Sequence, residues 1–247
     1  MKRFAVLTDI HGNAPALKAV LKEIDESRDV DHIYCLGDML GIGPDSNEVL
    51  EMLFSRSDVS MLTGNHDEAI LALAQGKEYP LSHIQVKEHH QWILDRLDPF
   101  FIPKLEQLPR RRNVTIGGYS ILFIHYQIEN SKLDLHISKD HFSSIVEPST
   151  ENMEALFFDK KADLICFGHH HPLHYFAGKH TVYLNPGSLG CNDKPLSPYA
   201  IITVINNVVD VSLKEAAYDN TSFLKSYHTL QVPEREFILK VFHGNQI

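Results

Sequence analysis

Five short polar segments of the chain combine aspartate, asparagine and histidine, and each directly follows an apolar run. Their side chains offer carboxylate, amide oxygen and imidazole nitrogen, with no thiolate. Such a set suits a borderline divalent cation, namely Mn, Fe, Zn, Co or Ni, better than Ca or Mg held by oxygen atoms alone. The candidate metal ligands are Asp9, His11, Asp38, Asn65, His125, His169 and His171.

The spacing within two of these segments favours a shared site. Asp9 and His11 are two residues apart, as are His169 and His171, so at a strand end both members of each pair can point the same way. Seven candidates exceed what one tetrahedral centre needs. Two adjacent metals that share one carboxylate would use them all. Taken singly, Asp9-x-His11 is more often a capped strand end, and His125 is more often a hydrogen-bonded core histidine.

Apolar periodicity predicts the elements that must position these side chains. The runs 4–7, 33–36 and 59–62 are strand-like, each is followed by a polar turn, and helical spacing follows over 16–24 and 49–53. Alternating strands and helices predict a parallel sheet with right-handed crossovers. Asp38 then lies at the carboxyl end of a strand, which is where sites occur in open α/β sheets.

The rest of the chain is predicted to add a helical insertion, further strands and a helical tail within a single domain of residues 1–247. The insertion spans about 68–112 and lies over the site. Gly117-Gly118 indicates a hairpin, and the close spacing of the later strands indicates an antiparallel portion and more than one sheet. The predicted helices are 68–75, 84–97, 150–158, 221–230 and 234–242 (the tail being 220–243), the strands are 119–125, 164–167, 174–177, 181–184, 199–205 and 208–213, and Asn206-Asn207 is a tight turn.

Composition excludes several classes of function. The formal charge is −9 over 247 residues, so long nucleic acid is an unlikely partner. The one basic cluster is Arg110–Arg112. Such triplets more often lie on a solvated surface than contact the distal phosphates of a nucleotide. No apolar run reaches membrane-spanning length and no signal peptide is evident, so a cytoplasmic protein without membrane association is expected. The three cysteines have no paired spacing and are expected to be free thiols outside any metal site.

Together, the five segments resemble the calcineurin-like metallophosphoesterases. The family pattern is Asp-x-His, Gly-Asp, Gly-Asn-His-Asp/Glu, a lone His and Gly-His-x-His, and all five occur here in that order. The sequences of segments 9–13, 41–44 and 185–188 are similar to those of the bacterial and archaeal small phosphodiesterase branch of the family. That branch includes members resembling diadenosine polyphosphate hydrolases. The resemblance implies a four-layer αββα sandwich of two mixed sheets flanked by helices.

The resemblance also implies a ligand set and a reaction. One divalent metal would be held by Asp9, His11, Asp38 and His171, and the other by Asp38, Asn65, His125 and His169, with Mn favoured. A hydroxide that bridges the metals would attack a phosphodiester or nucleotide-type phosphoanhydride of a small substrate. Phosphomonoesterase or protein phosphatase activity is the nearest alternative, and a non-catalytic metal-binding scaffold is a weaker one. The substrate, the native metal and the oligomeric state stay open.

Two more residues gain roles through the resemblance, and others are weighed beside them. His66 would face the phosphate, where it stabilises the transition state or protonates the leaving oxygen, and Asp67 would orient it. Asn13 could contact substrate together with Asn65 and His66, although turn chemistry explains Asn13 as well. Tyr126, where glycine is usual, and His170 depart from the family pattern near the pocket. Residues treated as packing or polar positions without a role in the site are His89, His90, His136, His141, His174, His180, His228, His243 and Trp92.

Overall fold

The computed structural model describes residues 1–205 and 208–246, and Asn206 and Asn207, the predicted tight turn, lie outside this part. The strands are β1 Lys2–Leu7, β2 His32–Cys35, β3 Val59–Met61, β4 Arg111–Ile116, β5 Tyr119–Ile124, β6 Leu164–Cys166, β7 His174–Ala177, β8 Val182–Asn185, β9 Leu196–Ile205 and β10 Val208–Ala217. The α-helices are α1 Ala14–Ser27, α2 Ser46–Phe54, α3 Asn65–Ala74, α4 Lys87–Leu94, α5 Ile102–Leu105, α6 Thr150–Leu156, α7 Thr221–Thr229 and α8 Arg235–Phe242. Short 3₁₀ turns span Leu81–Val86, Pro99–Phe101, Asn130–Lys132 and Ile137–Lys139.

The strands form two five-stranded sheets, with the orders β10-β9-β1-β2-β3 and β4-β5-β6-β8-β7. In the first sheet β1, β2 and β3 are parallel, while β9 and β10 add an antiparallel edge. In the second sheet β5, β6 and β8 are parallel, and β4 and β7 pair antiparallel at its edges. Both sheets are therefore mixed, as predicted.

Three apolar layers separate the sheets from each other and from the helices. Between the sheets, Phe4, Tyr34 and Phe123 pack together, with the Tyr34 and Phe123 rings stacked at 3.8 Å between centroids. The outer face of the first sheet is covered by α1 to α5, and that of the second sheet packs against α6 through residues such as Met153. The predicted four-layer sandwich is thus confirmed. Within the described residues, no helix has both the length and the apolar character needed to cross a membrane.

The first turn of α3 corrects a predicted boundary. The segment 63–67 was expected to be a turn, but the helix already begins at Asn65, with Gly64 as its N-cap. The Asp67 carboxylate accepts a hydrogen bond from Gly64 N at 2.9 Å, which stabilises this helix start. As a result, the helix N-terminus and its partial positive charge lie at the end of β3, beside the predicted site.

The insertion is less regular than its periodicity predicted. A single helix was expected over 84–97, whereas the chain forms a 3₁₀ turn, Leu81–Val86, and then the eight-residue α4. After α5, the strand β4 begins at Arg111, so the last two residues assigned to the insertion belong to the second sheet. Beyond β10, α7 and α8 pack on Ile42 and Trp92, which brings the tail to the insertion.

Candidate metal centre

The predicted ligands come from the carboxyl ends of five parallel strands, three in one sheet and two in the other. Asp9 and His11 follow β1, Asp38 follows β2 and Asn65 follows β3. His125 directly follows β5, while His169 and His171 follow β6. Because the sheets pack face to face with these ends at one side, all seven side chains converge there.

Four of the seven ligands lie in left-handed backbone conformations. The φ angles are +53° for Asp9, +48° for His11, +50° for Asp38 and +68° for His169. Such values are uncommon for residues other than glycine and cluster where function requires a strained backbone. Hydrogen bonds between the β1 and β2 loops hold these conformations, including His11 N to Asp38 O at 2.9 Å.

Two histidines are oriented so that each directs Nε2 into the cluster. His11 Nδ1 lies 2.9 Å from the Leu40 carbonyl oxygen and His125 Nδ1 lies 2.9 Å from that of Leu36. A carbonyl only accepts, so each Nδ1 carries a proton, and each Nε2 is left to bind either a metal ion or a second proton. Metal-binding histidines show this arrangement, because the second hydrogen bond fixes the ring and its tautomer.

The inward-facing atoms include acceptors placed directly against one another. His11 Nε2 is 3.1 Å from His171 Nε2, and His125 Nε2 is 3.0 Å from Asn65 Oδ1. The amide of Asn65 is oriented from behind, because its Nδ2 donates to His83 Nε2 at 2.8 Å and its Oδ1 therefore faces inward. Opposed lone pairs in a buried site require a proton or a cation between them, so the donor set fits a bound metal ion.

Asp38 belongs to two of the groups that could hold an ion. Its carboxylate lies with Asp9 and His11 in one group and with His125 and His169 in another, and the ligand atoms of each group lie within 4.8 Å of one another. Each group is part of one of the two ligand sets that the resemblance implies, and Asp38 is in both; His171 and Asn65 are in neither group. The number of ions bound there stays a prediction.

The buried carboxylates and histidines of the cluster shift one another's pKa values. Burial alone would lower the pKa of His125, but the charge of Asp38 and a hydrogen bond to it raise that pKa to about 9. Burial raises the pKa of Asp9. For Asp38, burial is outweighed chiefly by the charge of His125, which holds its pKa well below the usual range. Asp38 is therefore ionised.

Close backbone approach makes a glycine necessary beside Asp38. A Cβ on Gly64 would overlap the Asp38 carboxylate and also lie 2.5 Å from its backbone nitrogen. The Gly-Asn-His-Asp segment therefore needs its first glycine for space, since the φ of Gly64 is −104° and imposes no such need.

Two predicted roles change in the structure. The prediction that Asp67 orients His66 is wrong, because the Asp67 oxygens accept hydrogen bonds from the backbone nitrogens of Gly64, Met39 and Leu40. Adjacent helix residues point about 100° apart, which separates the two side chains. The imidazole of His66 instead pairs with His90, at 2.8 Å between His66 Nδ1 and His90 Nε2.

Asn13 acts as a helix cap. Its Oδ1 accepts from Ala16 N at 3.1 Å, and its Nδ2 donates to Gly190 O and Tyr218 Oη. The side chain is fully buried and all its polar groups are used. The turn explanation accounts for these contacts, so Asn13 lies outside the proposed substrate surface.

Three residues of the insertion reach the site without a sequence motif. His83 and His90 contact Asn65 and His66, and Tyr79 Oη lies 2.7 Å from His90 Nδ1. His90 was expected to be an ordinary polar position. The only sequence signal was the density of histidines in a segment predicted to cover the site, and periodicity cannot tell which of them faces inward.

The cysteines are free and buried, as expected, but one is near the cluster. The sulfur of Cys191 forms a third possible ligand group with His11 and His171. Burial raises the pKa of this thiol well above its usual value, so the thiol is neutral without a metal. The expectation that the cysteines lie outside any metal site therefore stays a prediction, with Cys191 the one cysteine in a possible ligand group.

Other residues from the sequence analysis are structural. The Tyr126 ring is buried 4.8 Å from that of His169 and packs in the core behind the site. His170 turns away and pairs with His174. Arg110 forms a two-pronged ion pair with Glu68, so the basic triplet does not present three free cations.

Comparison with known proteins places the chain in a family context. The calcineurin-like phosphoesterase superfamily domain matches residues 1–207. A symmetrical bis(5'-nucleosyl)-tetraphosphatase of Acidovorax sp. is 37% identical over 121 residues, which are 47% of this chain and 41% of that relative. This chain thus matches less than half the length of that enzyme.

Two solved structures share the fold over almost the whole chain. A hypothetical protein of Pyrococcus horikoshii has a TM-score of 0.77 and 22% identity, with 99% of both chains covered. A metallophosphoesterase of Sphaerobacter thermophilus has a TM-score of 0.69 and 20% identity, with 96% of this chain and 97% of that chain covered. At these identities the likeness concerns the fold.

Proposed function

Because the chain belongs to the calcineurin-like phosphoesterase superfamily, we propose that it hydrolyses phosphodiester or nucleotide-type phosphoanhydride bonds of small substrates at two divalent cations. The observation that carries the proposal is the pair of ligand groups that share Asp38. One group contains Asp9 and His11, and the other contains His125 and His169. Mn²⁺ is the first metal to test, since the donors are carboxylate, amide and imidazole.

In this proposal, different residues of the chain bind the metal ions and contact the phosphate. Bound divalent ions would supply Lewis-acid activation of the phosphoryl group and of water. Asp38 holds both ligand groups together and accepts a hydrogen bond from His66 N at 2.9 Å, which fixes the start of α3. The side chain of His66 lies beside His11, with 5.2 Å between the ring centroids, which supports a role for His66 in contacting the substrate.

Three features support a small nucleotide-like substrate over a polymer. The net charge is −9, and Arg110 is engaged with Glu68 instead of lining a positive channel. A relative that matches part of this chain is named a bis(5'-nucleosyl)-tetraphosphatase. On α8, the Phe242 ring lies 5.8 Å from the ring of His171 and packs edge-on against the exposed Phe237. These two phenylalanines would offer a nucleobase an aromatic surface next to the candidate ligands.

A hydrolysis screen tests the proposal. Mn²⁺-loaded protein is expected to cleave bis-p-nitrophenyl phosphate and dinucleoside tetraphosphates faster than phosphomonoesters or phosphopeptides. Asp38→Asn should abolish turnover, while the exposed Asp134→Asn serves as a matched control with unchanged activity. A monoester preference would replace the proposed substrate class. Absence of turnover with Mn²⁺, Fe²⁺, Zn²⁺, Co²⁺ and Ni²⁺ would favour the non-catalytic scaffold.

A further inference from the structure

We propose that Tyr79 and His90 of the insertion form a positioning pair for His66. The pair fixes the His66 ring as the neutral tautomer that carries its proton on Nε2, so that this N–H can donate a hydrogen bond to an oxygen of the bound phosphate. The inference deepens the proposed function and rests on it for the identity of the acceptor.

The three side chains form a continuous hydrogen-bonded chain. Tyr79 Oη lies 2.7 Å from His90 Nδ1, and His90 Nε2 lies 2.8 Å from His66 Nδ1. His90 is fully buried and Tyr79 is 8% exposed, so water does not compete for these contacts. The His66 ring is also enclosed by the rings of His11 and His83, each 5.2 Å away between centroids.

The distances decide the direction in which the protons point. Tyr79 has one hydroxyl proton and two possible acceptors, His90 Nδ1 at 2.7 Å and the His83 carbonyl oxygen at 3.2 Å. Hydroxyl-to-oxygen hydrogen bonds are usually about 2.5–3.0 Å long, so the hydroxyl is assigned to His90. A neutral His90 then carries its proton on Nε2 and donates it to His66 Nδ1. His66, as an acceptor at Nδ1, holds its own proton on Nε2.

The resulting N–H is free for a substrate. Among the described residues, His66 Nε2 has no hydrogen-bond partner, whereas the backbone nitrogen of His66 is bound to Asp38. A neutral imidazole can polarise a substrate oxygen by donating a hydrogen bond, as other enzymes illustrate. Of the two roles that the resemblance implied for His66, this arrangement favours stabilisation of the phosphoryl oxygens over protonation of the leaving group.

The opposite assignment of the protons gives the other tautomer of His66. If the Tyr79 hydroxyl donated to the His83 carbonyl, His90 Nδ1 would donate to Tyr79, His66 Nδ1 would donate to His90, and His66 Nε2 would present a lone pair to the phosphate. The two arrangements therefore differ in which nitrogen of His66 carries hydrogen, and nitrogen NMR can distinguish them.

The direct test is the tautomer of His66 in ¹⁵N-histidine-labelled, metal-free protein, measured by long-range ¹H–¹⁵N correlation and assigned with His66→Gln. The expected result is Nε2–H in the unmodified protein and a shift toward mixed tautomers in Tyr79→Phe. Tyr227→Phe is the matched control, because it removes the hydroxyl of another buried pair, Tyr227 with His243. A Nδ1–H tautomer, or a His66 spectrum that Tyr79→Phe leaves unchanged, would overturn the proposal.

Kinetics with Mn²⁺ supply a second test. Tyr79→Phe and His90→Leu should lower kcat roughly tenfold or more, with little change in KM, as expected for loss of a partner that orients a site residue. His90→Gln should recover most of the loss, since its amide can accept from Tyr79 and donate to His66. Equal losses in His90→Gln and His90→Leu, both correctly folded by thermal unfolding, would contradict the positioning role. If unmodified protein shows no hydrolysis, the proposed function fails while the NMR test still decides the tautomer.

Discussion

The Asp38 carboxylate accepts a hydrogen bond from the start of α3 and lies among the candidate ligands of both sheets. The backbone there is left-handed, and Gly64 leaves the carboxylate just enough room. The surroundings of Asp38, a glycine, strained backbone and several histidines, thus distinguish it from other aspartates of the chain.

Gly64→Ala should affect hydrolysis much more than folding stability. The added methyl group overlaps Asp38, so we expect a loss of about 1–3 kcal/mol in the free energy of unfolding and near-complete loss of Mn²⁺-dependent hydrolysis. Gly76→Ala is the control, because open space surrounds Gly76 and only its φ of +62° is strained. Urea unfolding and initial rates measure both effects. Activity retained in Gly64→Ala would contradict the placement of Asp38.

Residue types and order were sufficient to predict which side chains meet, since all seven candidates converge. They were insufficient for the partner of His66, because the choice between Asp67 and His90 depends on the rotation of α3 and on how the insertion folds over it. Asn13 shows the same limit, since a capping asparagine and a substrate contact look alike in sequence.

At the scale of elements, two segments add to the site from outside the sheets. The insertion supplies His83 and His90 behind Asn65 and His66. The helix α8 places Phe242 beside His171, and it lies beyond the family match to residues 1–207. Strand and helix positions were predicted well where periodicity is strong, whereas the irregular insertion was predicted only as helical.

Phe237→Ala should weaken recognition of a nucleoside without altering the chemistry. Phe237 is 56% exposed, so its loss leaves the core intact. Loss of an aromatic surface that stacks on a base costs about 1–3 kcal/mol, so KM for a dinucleoside tetraphosphate should rise by roughly fivefold or more. Turnover of bis-p-nitrophenyl phosphate serves as the internal comparison and should change less. Phe158→Ala, at a 77% exposed phenylalanine elsewhere, is the control; an equal effect of both substitutions would exclude α8 from the pocket.

For the whole molecule, the packing of two sheets with their carboxyl ends at one side explains why distant segments form one cluster. Alternating strands and helices predicted the parallel part, and close strand spacing predicted the antiparallel edges. The strand order within each sheet did not follow from sequence, because the pairing of β6 with β8 and of β1 with β9 depends on long-range packing.

Burial of many histidines should make the metal-free protein sensitive to acid. Burial lowers the pKa of His90 and His169 to about 3 and of His171 and His243 to about 4. In the unfolded chain histidine has a pKa of about 6.5, so between about pH 4 and 6.5 the unfolded state binds more protons than the folded state. The free energy of unfolding therefore decreases as the pH is lowered through this range. Asp67 and Asp9 oppose this, since burial raises the pKa of Asp67 to about 7 and also raises that of Asp9, so the folded state keeps these protons.

Urea unfolding of metal-free protein from pH 7 to pH 4.5 measures the balance. Each of the four histidines contributes about 1.4 kcal/mol per pH unit over its window, so the net free energy of unfolding should decrease on acidification. His243→Gln lies outside the ligand set and should reduce the slope by about one group's share. Constant or rising stability on acidification would contradict the buried neutral state of these histidines.

The number of metal ions bound per chain tests the central claim most directly. Equilibrium dialysis against Mn²⁺ followed by elemental analysis should give two ions per unmodified chain. Asp38→Asn should lower the affinity for both ions, whereas His171→Gln should lower the affinity for one. Substitution of an exposed residue, Asp134→Asn, should leave both affinities unchanged. A single ion at saturation, or two ions that persist in Asp38→Asn, would contradict a centre built around one shared carboxylate.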